Sequence, residues 1–174
     1  MTLVIRDSRD EDVPAIARIY DYHVMHGLAS FETEAPGVGE MARRRTALLA
    51  QKFPYLVAEL DGLVAGYAYA SHYRTRFAYR FCTEDSIYVD ATLLGKGVGR
   101  ALLVALIAAC EVRGFRQMVA VIGDSGNLAS VRLHERCGFT LTGTFKSIGY
   151  KHGRWVDCVL MQRALGEGDA SLPR

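Results

Sequence analysis

The sequence predicts an α/β protein built on one mixed sheet with helices on both faces. Two observations carry this. The N-terminal half holds a strand meander: the runs Tyr55–Leu60 and Leu63–Ala70 are joined by Asp61-Gly62, a pair that tolerates positive φ and so suits a tight hairpin turn. After residue 83 the pattern changes to strands alternating with helices, a βαβαβ series that calls for parallel pairing.

Leu3–Arg6 reads as a short strand. Val13, Ile16, Ala17 and Tyr20 then recur at helical spacing, with Asp10, Glu11 and Asp12 at the positive end of the helix dipole and Pro14 in its first turn. Residues 27–39, with three glycines and a proline, read as a loop, and a second helix is expected over Glu40–Lys52. Thr83–Val89 is a strand; a helix over Gly99–Arg113 is closed by Gly114; Met118–Ile122 is the next strand. Asn127 can cap a helix running to Cys137, and strands follow near Phe139–Phe145 and Trp155–Met161. Residues 1–165 are expected to form one domain and 166–174 a flexible tail.

Composition narrows the function. The 174 residues suit about one domain at roughly 150 residues per domain. Half are hydrophobic and 23% charged, a globular balance rather than a disordered one. Lys plus Arg number 21 and Asp plus Glu 19, a net charge of +2, which argues against a nucleic-acid binder. The longest apolar run, Ala101–Cys110, is about half of what a bilayer span requires, and no basic stretch leads into an apolar one near Met1, so neither membrane insertion nor a signal peptide is expected. Cys82, Cys110, Cys137 and Cys158 are widely spaced without metal-like pairing and read as reduced residues of a cytoplasmic protein. His23 and His26 lack a third ligand, so no metal is expected.

The most informative segment is Leu94-Gly95-Lys96-Gly97-Val98-Gly99-Arg100, between the strand ending Ile87-Tyr88-Val89 and an apolar helix. Small residues at a strand–helix junction let successive backbone N–H groups face one anion, aided by the helix dipole. A phosphate or pyrophosphate is the expected ligand. A nucleotide P-loop does not fit, because Lys96 is followed by Gly97 rather than Ser or Thr, and a dinucleotide fingerprint does not fit because Leu102 stands where its third glycine belongs.

With these residues in view, the chain resembles the GNAT superfamily of N-acetyltransferases, whose acetyl-CoA loop reads Arg/Gln-x-x-Gly-x-Gly/Ala. Gly97 and Gly99 match, while Leu94 departs from Arg/Gln. The segment Asn127–Phe139 matches a second signature in which the Asn side chain reaches the cofactor, with Ser130 beside it. Within the superfamily the likeness is to phosphinothricin and methionine sulfoximine acetyltransferases, carried by Ser30–Glu34, Tyr55–Glu59, Arg74–Tyr79, Thr83–Val89, Val119–Gly123 and Gly149–Trp155 in the same order. The resemblance covers Leu3–Leu165. It implies a mostly antiparallel twisted sheet of the acyl-CoA N-acyltransferase type, acetyl-CoA as cosubstrate without a metal, a small amino-acid-like acceptor, and a homodimer.

The resemblance also places the chemistry. Glu84, on the strand leading into the glycine loop, matches the catalytic Glu that takes the amine's proton, directly or through water. His134 occupies a position where many members carry a tyrosine that protonates the departing thiolate; as a group titrating near neutrality it could act as base, acid or positioning residue. A backbone N–H at the end of Ile87–Val89 is expected to hold the oxyanion. Arg74 and Arg76 suit the acceptor's acidic groups, since guanidinium forks match carboxylate and phosphinate oxygens. Phe31, Phe77 and Tyr79 are expected in the pocket wall, and Gly123 allows close approach. Lys151-His152-Gly153 reads as a hairpin tip without a catalytic role. Two rivals remain: the same chemistry on a polyamine, an aminoglycoside or a protein N-terminus, and a silent acetyl-CoA-binding module. The arginines argue against polycationic acceptors; Glu84 and His134 argue against silence.

Overall fold

The computed structural model describes residues 2–173. Its N-terminal part runs β1 (Leu3–Asp7), α1 (Val13–His26), α2 (Gly37–Ala50), β2 (Tyr55–Leu60), β3 (Leu63–His72) and β4 (Cys82–Val89). The remainder runs α3 (Val98–Val112), β5 (Gln117–Gly123), α4 (Leu128–Arg136), β6 (Thr140–Lys151) and β7 (Arg154–Ala164). The strands form one seven-stranded sheet in the order β1-β2-β3-β4-β5-β7-β6. Every neighbouring pair is antiparallel except β4–β5, as the parallel crossover through α3 requires. The expected mixed, mostly antiparallel sheet is present, with helices on both faces. Among the described residues no helix is long and apolar enough to cross a membrane.

Two cores result from the strand period of two. On one face, Leu102, Leu103, Leu106 and Cys110 of α3 meet Ala58, Ala68, Ala70, Met118 and Ala120 of the sheet. The alanines on the strands let this apolar helix lie close to the backbone. On the other face, Ile16, Ile19, Tyr20 and Val24 of α1 and Met41 of α2 cover Tyr55, Val57 and Tyr67. Leu103 and Leu106 are fully buried; truncating either to Ala removes about 2–5 kcal/mol.

Three helices end alike, with the chain turning through positive φ and the next N–H groups returning to the last turn. Lys52 (φ 64°), Gly114 (φ 82°) and Gly138 (φ 85°) make these turns, and Phe53, Phe115 and Phe139 donate back to Leu48, Cys110 and His134. Phe53 and Phe115 then stack, ring centroids 5.5 Å apart, tying the ends of α2 and α3 together. This corrects the expected second helix: it spans Gly37–Ala50, not Glu40–Lys52. Gly37 and Gly39 read as loop residues, yet Pro36 caps the helix ahead of them, and Lys52 is past its end. The last two strands are also longer than expected. Ser147 adopts φ 51° inside β6, its N–H donated to Asp157 Oδ1 at 2.9 Å, and the register shifts between Phe145 and Gly149. That bulge interrupts the alternation that marks a strand in sequence. Lys151–Arg154 is a hairpin tip with His152 and Gly153 both at positive φ. Beyond β7, the Leu165 N–H bonds to Arg116 O and the Gly168 N–H to Leu165 O, while Arg116 donates to the Ser171 carbonyl at 2.9 Å.

Candidate active site

The parallel pair that joins the two halves of the sheet is short. β4 and β5 pair from Cys82–Gln117 to Asp85–Ala120 and then part, although β4 runs on to Val89 and β5 to Gly123. Both strands are held on their outer sides, β4 by β3 up to Val89–Gly66 and β5 by β7 up to Gly123–Cys158. The result is a wedge whose β4 edge, Ser86 to Val89, has no strand partner on the β5 side. Unpaired backbone donors on a fixed edge suit an extended amide-bearing ligand or a developing oxyanion.

The glycine loop closes the wide end of the wedge. Gly97 caps α3 at φ 83°, a left-handed conformation that favours glycine, and a side chain there would project into open space where the α3 N-terminus points. Leu94, Gly95, Lys96, Gly97 and Arg100 are exposed, whereas Val98 is buried and Gly99 packs against Leu133 of α4 and Val89 of β4. The cradle therefore fits a pyrophosphate: N–H groups at a helix N-terminus, no acidic side chain, and Lys96 and Arg100 alongside. Asp90 steadies its entrance, accepting from the Thr92 N–H and hydroxyl and from Arg18 of α1. His23 of α1 donates its Nε2–H to the Val89 carbonyl at 2.7 Å.

Glu84 lies where the wedge begins. Its register partners are Ser71 on β3 and Val119 on β5, so its side chain shares the α1/α2 face with Ser86, Tyr88 and Tyr69. Two pockets flank it. One of about 330 Å³ is lined by Tyr20, Met41, Arg44, Tyr55, Tyr69 and Ser71. The other, of about 320 Å³, is lined by Tyr73, Tyr79, Cys82, Val119, Leu160 and Gln162 among others. Burial, seconded by the neighbouring Asp85 charge, raises the Glu84 carboxyl to about 7, with Arg74 pulling the other way. A carboxyl poised there can both accept and release a proton near neutrality.

His134 is not brought to Glu84. Residues 84 and 85 are consecutive on a regular strand and face opposite sides, and it is Asp85 that meets His134. The His134 Nε2 lies 3.0 Å from Asp85 Oδ2 and its Nδ1 2.7 Å from the Ser130 carbonyl, with Phe139 edge-on 5.0 Å away. The ring thus has an acceptor at each nitrogen. Burial disfavours its charge, but the Asp85 hydrogen bond and charge together with the Ser130 carbonyl outweigh that, and the His134 pKa is raised. The pair ties α4 to β4 at the last rung before the strands separate. Asn127 caps α4, its Oδ1 accepting from the Ser130 N–H at 3.3 Å.

The expected acceptor residues divide. Arg74 is exposed, over the Tyr73 ring, and close enough to act on Glu84. Tyr79 packs edge-on to Tyr73 at 5.7 Å in the wall of the second pocket. Arg76 precedes a short turn at Phe77–Tyr79, and Phe77 lies against Arg80, largely exposed. Gly123 packs against the Leu28–Ala29 backbone; a methyl group there would overlap the Leu28 carbonyl oxygen. Phe31 follows on the same loop. Sequence reasoning missed Asp85, whose neighbour Glu84 drew the catalytic reading. It also missed the polar network behind Phe31, in which Tyr20 donates to Glu32 and shares a hydrogen bond with Ser30, while Arg44 bridges Glu32 and Glu40. Each member is a common surface type, and only the fold gathers them.

Known proteins share this architecture. The acetyltransferase (GNAT) family model matches residues 17–139. A phosphinothricin N-acetyltransferase of Alcaligenes faecalis is 54% identical over 97% of this chain and 86% of its own length. An L-methionine sulfoximine/L-methionine sulfone acetyltransferase of Salmonella typhimurium is 37% identical over 95% of this chain and 96% of its own. The crystal structure of a phosphinothricin acetyltransferase from Sinorhizobium meliloti in complex with acetyl-CoA superposes with a TM-score of 0.96 at 46% identity, covering 100% of this chain and 94% of that one. A parted parallel strand pair, a glycine cradle at a helix N-terminus and a near-neutral carboxyl between them agree with what sequence likeness finds along nearly the whole length: the chain belongs to the acetyltransferase (GNAT) family.

Proposed function

We propose that the protein transfers the acetyl group of acetyl-CoA to the α-amino group of a small amino-acid analogue such as phosphinothricin or methionine sulfoximine or sulfone. The observation that carries the reading is Glu84, a half-buried carboxyl raised to about 7 at the point where β4 and β5 part. Acetyl-CoA supplies an activated thioester carbonyl, and the residues that would hold it are Leu94–Arg100 at its pyrophosphate and Ile87–Val89 along its amides, with Asn127 and Ser130 at the start of α4. Glu84 takes the proton that the acceptor's ammonium must lose before its nitrogen can attack the carbonyl carbon. Backbone N–H groups on the free edge of Ile87–Val89 donate to the carbonyl oxygen as negative charge builds there. Collapse of that oxyanion breaks the C–S bond, and the CoA thiolate leaves as the thiol by taking up the second proton of the acylated nitrogen, while Glu84 returns the first to solvent. Arg74, with Arg76 beside it, receives the acceptor's acidic groups, and Phe31 and Tyr79 wall its side chain. His134, engaged at both nitrogens on the opposite face, holds α4 rather than moving a proton.

The reading includes a homodimer in the cytoplasm, where the four free thiols stay reduced. Its support is the outer hairpin of the sheet, where Leu141, Phe145 and Ile148 of the edge strand β6 and Trp155 of β7 expose apolar side chains. Size-exclusion chromatography at micromolar concentration should give about twice the 19.2 kDa chain mass; elution as a monomer would remove this element. The function itself is tested by free-thiol release from acetyl-CoA with phosphinothricin, methionine sulfoximine, methionine sulfone, polyamines and aminoglycosides. Turnover confined to the amino-acid analogues supports the reading, and turnover of the polycations alone refutes it.

A further inference from the structure

The loop between α1 and α2 is held from below by β5 and β6 at three points. At Gly123 the Leu28–Ala29 backbone occupies the space a side chain would need. At Gly149 the Phe31 ring does the same, since an added methyl carbon would lie 2.6 Å from the ring edge. Between them, Lys151 is 97% buried, being only 3% exposed, and donates from Nζ to the Ser30 carbonyl at 2.7 Å. A lysine removed from water this completely is costly unless its charge is placed for a purpose. The ammonium meets a backbone carbonyl in the loop and the field of Glu32 two residues on, while burial lowers its pKa. Glu32 is in turn fixed by Tyr20 and Arg44. Only Phe31, between the two anchored residues, keeps much of its ring exposed.

We infer that Lys151 is a positioning residue for acceptor recognition: from the tip of the β6–β7 hairpin it fixes the Ser30–Glu32 segment so that Phe31 presents one face of its ring to the acceptor. The inference rests on the amino-acid acceptor reading and concerns the acceptor side alone. The acetyl-CoA cradle lies on the far side of the wedge, at Leu94–Arg100, and shares no contact with Lys151.

The test uses full-length Lys151→Met, which keeps the length of the side chain and removes the ammonium, and Gly149→Ala, which displaces the Phe31 ring without touching the lysine. Both are compared with wild type for the KM of acetyl-CoA, the KM of the acceptor, kcat, and amide hydrogen exchange of residues 28–32 in the absence of acceptor. Loss of one charge-assisted hydrogen bond, expressed at the acceptor, predicts an acceptor KM raised at least about tenfold for Lys151→Met. Gly149→Ala should raise it in the same direction, with the KM of acetyl-CoA within twofold of wild type in both. Exchange in the loop should quicken in Lys151→Met. Equal changes in both KM values would show a role in the fold at large and overturn the inference. So would faster exchange at an unchanged acceptor KM. If wild type acetylates none of the amino-acid analogues, the acceptor reading itself falls and the inference with it; if wild type is active and Lys151→Met keeps its acceptor KM, only the inference falls.

Discussion

Replacing Glu84 by Gln should damage activity and improve stability together. The carboxyl stands at about 7 against 4.5 in the open chain, so the folded protein favours its neutral form. A group raised in this way contributes stability in full below pH 4.5, and the contribution is lost as pH rises through 7. At about 1.4 kcal/mol per pH interval, the loss by pH 8 is about 3 kcal/mol at most, and about 1–3 kcal/mol once the half-open setting is allowed for. Gln keeps the shape and never carries the charge. At pH 8 the variant should therefore be more stable than wild type by that amount, several degrees in Tm for a chain of this length, and the two should converge towards pH 4.5. Turnover should fall by about 100- to 10,000-fold, and the acid limb of the kcat/KM profile, with its midpoint near 7, should vanish. Thermal unfolding across pH 4.5–8.5 and thiol-release kinetics measure the two sides. A turnover loss below about fivefold, or a stability difference that does not change with pH, would refute the assignment of Glu84 as a destabilised base.

Gly97→Asp should weaken acetyl-CoA binding at least about tenfold by calorimetry, because it places a negative charge at the α3 N-terminus and an L side chain at φ 83°; wild-type affinity would place the site elsewhere. Arg74→Ala should raise the acceptor KM by roughly 10- to 150-fold and also move the acid limb of the pH profile upward, since Arg74 holds the Glu84 pKa down. Arg74→Lys should restore the limb better than the KM, and an unmoved limb in Arg74→Ala would refute the coupling. His134→Gln should cost about 3–5 kcal/mol by leaving Asp85 without its buried cation. Because the His134 pKa is raised from 6.5, its contribution is complete below about pH 6.5 and declines as pH rises through the higher folded value. Urea unfolding should show the deficit shrinking at alkaline pH, with the Glu84 limb of the activity profile still present.

Much of the fold was legible because strong local signals agreed with the tertiary result. Asp61-Gly62, Gly114 and the Asn127 cap each mark a boundary through backbone chemistry that a sequence displays. The errors fell where that chemistry was atypical. Lys52 ends α2 at positive φ, a place where glycine is the usual sign, and Gly37 and Gly39 read as loop although α2 starts there. Ser147 hides the continuity of β6. At the site, the glycine loop stands out by its residue types, whereas Glu84, as a strand carboxylate, is marked only by the resemblance. The direction in which His134 points is set by Asp85, 49 positions away in the chain, and the burial of Lys151 is set by Ser30, 121 positions away. No local pattern reports contacts of that span.

The adjacency of Glu84 and Asp85 has a consequence for how the protein can change. Two acids side by side have unlike surroundings because strand parity sends Glu84 to the α1/α2 face and Asp85 inward to His134. Deleting or inserting a single residue in the turn at Phe77–Tyr79 could be absorbed by the turn. Inserting one residue between Thr83 and Glu84 would exchange the faces of the two carboxyls. An aspartate, shorter by one methylene, would then stand on the α1/α2 face, and a glutamate would crowd the space beside the imidazole. The same slip would turn Ile87 and Val89, which pack against the α3 core, to the opposite face and bring Tyr88 inward in their place, so the sheet would lose packing along with the placement of Glu84. Drift in length is thus closed to the eight residues of β4.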